Sequence, residues 1–156
     1  MGASAETQST EGMAFVGPDM KFYMAMSKIS NGMDKDVEPL GDIGVSANYC
    51  GCVYEFDVSE EYVLTAMRAL VCGEPIEGDE NNACSTESIA SPDNLFYTGT
   101  FGTEDDHSLL IAEGKNKTNE LMLCFWLANP LTDALLLCRH SKIRPITATI
   151  TCGTMT

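Results

Sequence analysis

The sequence predicts a mostly β domain: an antiparallel β sandwich or rolled sheet of about seven strands, packed by one α-helix over residues 59–72. Three observations carry this. Strand-like stretches follow one another after Asn94 with turn residues between them. Strand–helix–strand alternation is absent, which argues against a parallel sheet. A single stretch has helical periodicity with a start and a stop signal.

Residues 1–12 are small and polar and read as a flexible arm, leaving residues 13–156 as one β-rich domain. The next stretch, "MAFVGPDMKFYMAMSKIS", places Met20, Phe22, Met24 and Met26 at alternate positions after a Gly-Pro-Asp turn, the pattern of a strand. "SNGMDKDVEPLGDIG" has the Gly, Pro and spaced acids of a loop with a short extended piece. "VSANYCGCVYEF" has the Val, Tyr and Phe of a second strand.

The helix is expected in "SEEYVLTAMRALVCG". Ser59 suits an N-cap, Glu60 and Glu61 favour the positive end of a helix dipole, and Val58 is placed to staple onto Val63. Val63, Ala66, Met67, Leu70 and Val71 fall on one stripe, and Gly73 and Pro75 end it. Residues 74–94 form a long polar loop, a length that in a compact domain points to function or flexibility. The remaining strands are "LFYTGTFG", "HSLLIAEG", "ELMLCFWLA", "ALLLCRH" and "PITATITCG", with "GKNKTN" as a hairpin turn between the second and third.

The charge is unevenly distributed. Residues 1–138 hold all 23 acids and six of the nine bases, a balance of −17 within a net −14. The other three bases, Arg139, Lys142 and Arg144, lie in "RHSKIR" beside His140. An acidic body repels phosphates, so tight nucleic-acid binding is not expected. No run approaches the ~18 apolar residues of a membrane helix, so no membrane partner is expected. The opening residues lack a charged-then-apolar leader, and Glu6 breaks the myristoylation pattern.

Seven cysteines make an odd count: Cys50, Cys52, Cys72, Cys84, Cys124, Cys138 and Cys152. Two readings stand. One is a reduced cytosolic protein with mostly buried thiols; the other is a secreted fold with up to three disulfides and one thiol over. Cys50 and Cys52, two apart, are expected on one strand face in the core. They lack the second pair that a zinc site requires.

A catalytic set does not emerge. His107 stands beside Ser108 with Asp105 and Asp106 before it, but neighbours along a strand face opposite ways. Asp34, Asp36 and Glu38, and Glu77, Asp79 and Glu80, lack the glycine and terminal glutamate of a calcium loop, and read as acidic surface. No catalytic residue, metal or cofactor is expected. Arg139, His140, Lys142 and Arg144 are expected to face a neighbouring subunit, with the acidic loops as their complement in a head-to-tail contact.

The stretch "FVGPDMKFYMAMSKISNGMDKDVEPLGDIG" resembles the opening of tail-tube-like virion proteins of tailed bacteriophages, which run from a Gly-Pro turn into a strand and then an "LGDIG"-like segment. Such proteins stack as rings whose acidic inner surface lets DNA slide. The resemblance implies a structural homo-oligomer, ring or filament, joined to other virion proteins and assembled in a host cytoplasm. "NYCGCVYEFDVSEEYVLTAMRALVCG", with "FYTGTFGTEDD" and a later "LLLC", is similar to fungal secreted ribonuclease-like effectors. Their catalytic glutamate, arginine and two histidines on one sheet are not matched here. That second resemblance implies a disulfide-bonded, non-catalytic binder of a host protein.

Overall fold

A computed structural model describes residues 9–30, 33–37, 43–78, 84–85, 87–98 and 108–114, and the backbone of residues 124–129, 134–139 and 151–153. The described chain is mostly β, in two antiparallel sheets. The first contains β1 (Thr10–Val16), β2 (Lys21–Met26), β3 (Cys52–Val58) and β4 (Leu64–Cys72), side by side in that order. The second contains β5 (Pro92–Tyr97), β6 (Leu109–Glu113), β7 (Cys124–Asn129), β8 (Ala134–Arg139) and β9 (Thr151–Gly153), again in chain order.

The helix expected over residues 59–72 is not formed; among the described residues there is no α-helix. Residues 59–63 are instead a hairpin turn. The Ser59 N–H donates to the Val63 carbonyl (2.9 Å), Tyr62 N–H donates to the Ser59 carbonyl (2.9 Å), and Tyr62 takes a left-handed φ of 59°. This is a type I turn closed by a left-handed residue, a common hairpin loop. Ser59 Oγ does accept from a backbone N–H four residues on, Val63 (3.3 Å), but across a turn. Residues 64–72 then run back along β3, from Val58↔Leu64 to Cys52↔Cys72. Pairing with a ready-made neighbour, strengthened by a covalent link at its far end, overrides the local helical pattern.

The "GPDM" turn, expected to precede one strand, joins two: Val16 and Lys21 close the loop, and Met20 N–H donates to the Gly17 carbonyl. Residues 10–12 of the expected arm belong to β1, paired with β2 from Thr10↔Met26 onward; residues 1–8 lie outside the described residues.

Each face of β3 is covered, so Cys52 to Phe56 are all buried. On the inner face, Val16, Tyr23, Ala25 and Val53 pack with Ile89, Leu109 and Ile111, joining the two sheets through one core. The sheets meet most closely at β1 and β5: a Cβ on Gly12 would stand 2.5 Å from both the Asp93 carbonyl oxygen and the Leu95 nitrogen. On the outer face, Met26, Cys52, Tyr54 and Phe56 are covered by Ile29 and Met33, with Ile43 and Val45 beside them. The loop after β2 thus supplies a second small core.

Two disulfides pin the polar segments to this frame, Cys50–Cys84 and Cys52–Cys72. Of the two readings of the cysteines, these four follow the disulfide-bonded one. Cys50 and Cys52 are both buried, as expected, but not as neighbours on one strand face. Gly51 between them takes φ +77°, and β3 begins only at Cys52. The backbone turns there, and each sulfur finds its own partner.

Candidate functional site: an open strand edge, its cleft and a buried carboxylate

β4 ends the first sheet and, among the described strands, pairs with β3 alone. Leu64, Thr65, Ala66, Arg68 and Ala69 are exposed along it. Alongside runs an open cleft of ≈ 500 Å³. Its floor is Tyr54, Met67, Ala69 and the Cys52–Cys72 disulfide; its wall is residues 43–48. Asn48 holds the wall in place. Its N–H and carbonyl pair with Ile29, its Oδ1 accepts from the Cys50 N–H (2.9 Å), and its Nδ2 donates to the Gly73 carbonyl (2.9 Å) just past β4. Gly44, without a side chain, and the small Ser46 and Ala47 line the cleft along this wall.

Under the opposite face of β4 lies a charged row. Tyr23, Glu55 and Arg68 are register partners across β2, β3 and β4, with Lys21↔Asp57 in the next row. Glu55 is only 2% exposed. Its Oε1 accepts from Arg68 Nε (2.9 Å) and Lys21 Nζ (2.9 Å), and its Oε2 from Arg68 Nη2 (3.0 Å). Lys21 also donates to Asp57 Oδ1. Burial pushes the Glu55 carboxyl up, but the Arg68 and Lys21 hydrogen bonds and charges outweigh it and hold it below its ordinary value. Lys21 is raised by its bond to Asp57 and then by Glu55. Tyr23 is raised first by burial, then by the Glu55 charge and hydrogen bond. Each oxygen of the carboxylate is thus engaged by a cation, an arrangement that fixes the strands together and holds Glu55 ionised.

The residues expected as sites are not gathered here. Arg139 closes β8, opposite Cys124 and Thr151; His140, Lys142 and Arg144 lie outside the described residues, as do Glu38, Asp79, Glu80, Asp105, Asp106 and His107. Asp34 Oδ1 accepts from the Asp36 N–H (3.0 Å), so these two acids shape a turn, and Glu77 is exposed in another. Ser108 is buried, and its carbonyl accepts from the Thr98 N–H (2.8 Å). Among the described residues, no three His, Cys, Asp or Glu converge as metal ligands, and no helix is long and apolar enough to cross a membrane.

The sequence reading missed Glu55 and Arg68. The signal was present: the alternation in "VYEFDV" puts Glu55 on the face shared by Val53 and Asp57, an acid placed where a strand buries side chains. No family model matches the chain, and neither does any curated protein or solved structure.

Proposed function

We propose that this chain is a disulfide-bonded β sandwich of an oxidising compartment that acts as a non-catalytic recognition module for a protein partner. The observation that carries this is the pair of disulfides. They close separations of 34 and 20 residues and fasten the polar loop and the β4 hairpin to buried positions, as suits a protein kept outside the reducing cytosol. The ion-paired Glu55 is fully occupied by Arg68 and Lys21, which suits a structural part more than a general base.

A self-assembling virion protein is the second reading, favoured by one specific observation. Met13, Phe15 and Tyr62 leave 48–74% of their surface exposed, with the rings of Phe15 and Tyr62 6.2 Å apart. Exposed aromatic clusters of this kind often mark contacts between proteins.

The two readings separate on the chain prepared by export and by cytosolic expression. The recognition reading expects non-reducing peptide maps of the exported chain to show Cys50–Cys84 and Cys52–Cys72, light scattering to show a monomer, and the reduced form to melt at lower temperature. A reduced chain of equal stability that forms salt-sensitive rings or tubes would overturn it in favour of assembly.

A further inference from the structure

Most natural edge strands are short, or guarded by lysine, proline or a covering segment. β4 is nine residues long and contains neither lysine nor proline. Its one charged side chain, Arg68, is bound to Glu55 through Nε and Nη2 while remaining 54% exposed beside the cleft. The backbone edge and the cleft beside it form one continuous surface, with main-chain polar groups next to an apolar floor of Ala69, Met67 and Tyr54 and with Arg68 alongside. An extended chain satisfies both parts at once. Its backbone pairs with β4 while alternate side chains enter the cleft.

Charge selects among extended chains. Among the described residues the cleft lining holds no carboxylate and one cation, Arg68. Both ends of β4 are acidic, however: Glu60 and Glu61 are exposed in the turn before it, and Glu74 and Glu77 are exposed after it. Nine residues at ~3.3 Å each put these acidic ends about 30 Å apart. The same placement disfavours a second copy as the occupant. Antiparallel pairing of two β4 strands would set Glu60 and Glu61 of one against Glu74 and Glu77 of the other, like charge facing like.

Resting on the recognition reading, we propose that β4 receives an extended segment of a partner protein by strand addition, and that this segment carries alternating β-branched or apolar residues between Lys or Arg at both ends. Register would come from the two acidic ends and affinity from the main-chain pairing and the cleft.

The test uses the oxidised full-length chain and a fluorescent synthetic peptide, Lys-Lys-Val-Thr-Val-Thr-Val-Lys-Lys. Two controls share its length, one with Glu at the ends and one N-methylated at alternate backbone nitrogens. Saturable binding is expected, with added hydrogen-exchange protection confined to β4. Affinity should fall about tenfold at high salt, and both controls should fail. Ala69→Arg, which fills the cleft floor, should abolish binding. The double variant Glu60→Lys, Glu61→Lys should weaken it while leaving the edge intact, so that loss of fold is not mistaken for loss of contact. Equal binding of the Glu-ended peptide, unprotected β4 amides, or self-association that protects β4 would each overturn the proposal. Failure of the peptides on a chain whose disulfides map correctly sinks strand addition and leaves the recognition reading standing; a chain found reduced sinks that reading itself.

Discussion

Arg68 grips Glu55 from the neighbouring strand through two parallel hydrogen bonds, Nε to Oε1 at 2.9 Å and Nη2 to Oε2 at 3.0 Å. The carboxylate is buried, while the Arg68 side chain is 54% exposed and that of Lys21 31%. Removing a partner therefore has unequal consequences. Arg68→Ala leaves a buried carboxylate with Lys21 alone and should cost about 3 kcal/mol. Lys21→Ala leaves the bidentate pair and should cost about 1 kcal/mol or less. Glu55→Gln falls between, at about 2 kcal/mol, because both cations can turn toward water. Urea unfolding of the three variants gives the order; equal losses would mean that Arg68 does not dominate.

The same row sets a pH window. The folded-state pKa of Glu55 is depressed, so its contribution to stability is present above the ordinary value of 4.5 and is lost as pH falls through the folded value. Lys21 is raised above 10.5 and Tyr23 above 10.0. Their contributions are complete below those values and are lost as pH rises through the folded ones. Unfolding free energy should hold level near neutrality, fall below about pH 4.5 and fall again above about pH 10. In Glu55→Gln the acid limb should be shallower. Melting temperatures across pH test this, and an unchanged acid limb would remove Glu55 as its source.

Strands were legible in the sequence where alternation was strict. "KFYMAM" and "VYEFDV" announce β2 and β3, and the five stretches after Asn94 correspond to β5 through β9. The β4 segment misled because "SEEYVLTAMRALVC" satisfies both periods. Its apolar residues make a helical stripe, yet Met67 also meets Phe56 across a strand pair on the outer face. What decides between them is pairing with β3 through the 59–63 turn and the bond to Cys52, tertiary contacts that the helical stripe by itself does not contain. The error hid Arg68 and with it the open edge. The cysteine pairs were illegible for a related reason, since period two through "CGC" assumes an extended Gly51, whereas its φ of +77° turns the chain.

Each disulfide closes a loop whose entropy returns to the unfolded chain on reduction. Cys52 and Cys72 are opposite one another in register, Cα–Cα 4.1 Å. The double variant Cys52→Ser, Cys72→Ser should lose about 3 kcal/mol, and Cys50→Ser, Cys84→Ser about 4 kcal/mol, the longer loop costing more. The local effects should differ as well. The first pair lies on the cleft floor, so its loss should raise hydrogen exchange in β4. The second holds residues 84–85 against Cys50 and should release that segment to protease. Equal exchange in β4 with and without Cys52–Cys72 would show that the β3–β4 ladder alone holds the edge strand.

Gly12 gives a check on how the two sheets meet. Any side chain there would press on β5 main-chain atoms, the Asp93 carbonyl oxygen and the Leu95 nitrogen, neither of which has a rotamer to escape into. Gly12→Ala must therefore push β1 away from β5 and loosen the contacts of Ala14 and Val16 with the shared core. A loss of about 2–3 kcal/mol is expected, the upper range for overpacking. Gly17, whose added Cβ would meet only the Phe15 ring at 3.7 Å, is the matched control and should lose about 1 kcal/mol or less on the same change. Chemical denaturation of both variants decides the matter. If Gly12→Ala is as mild as Gly17→Ala, β1 and β5 do not approach this closely in solution, and the joining of the two sheets at this edge would have to be redrawn.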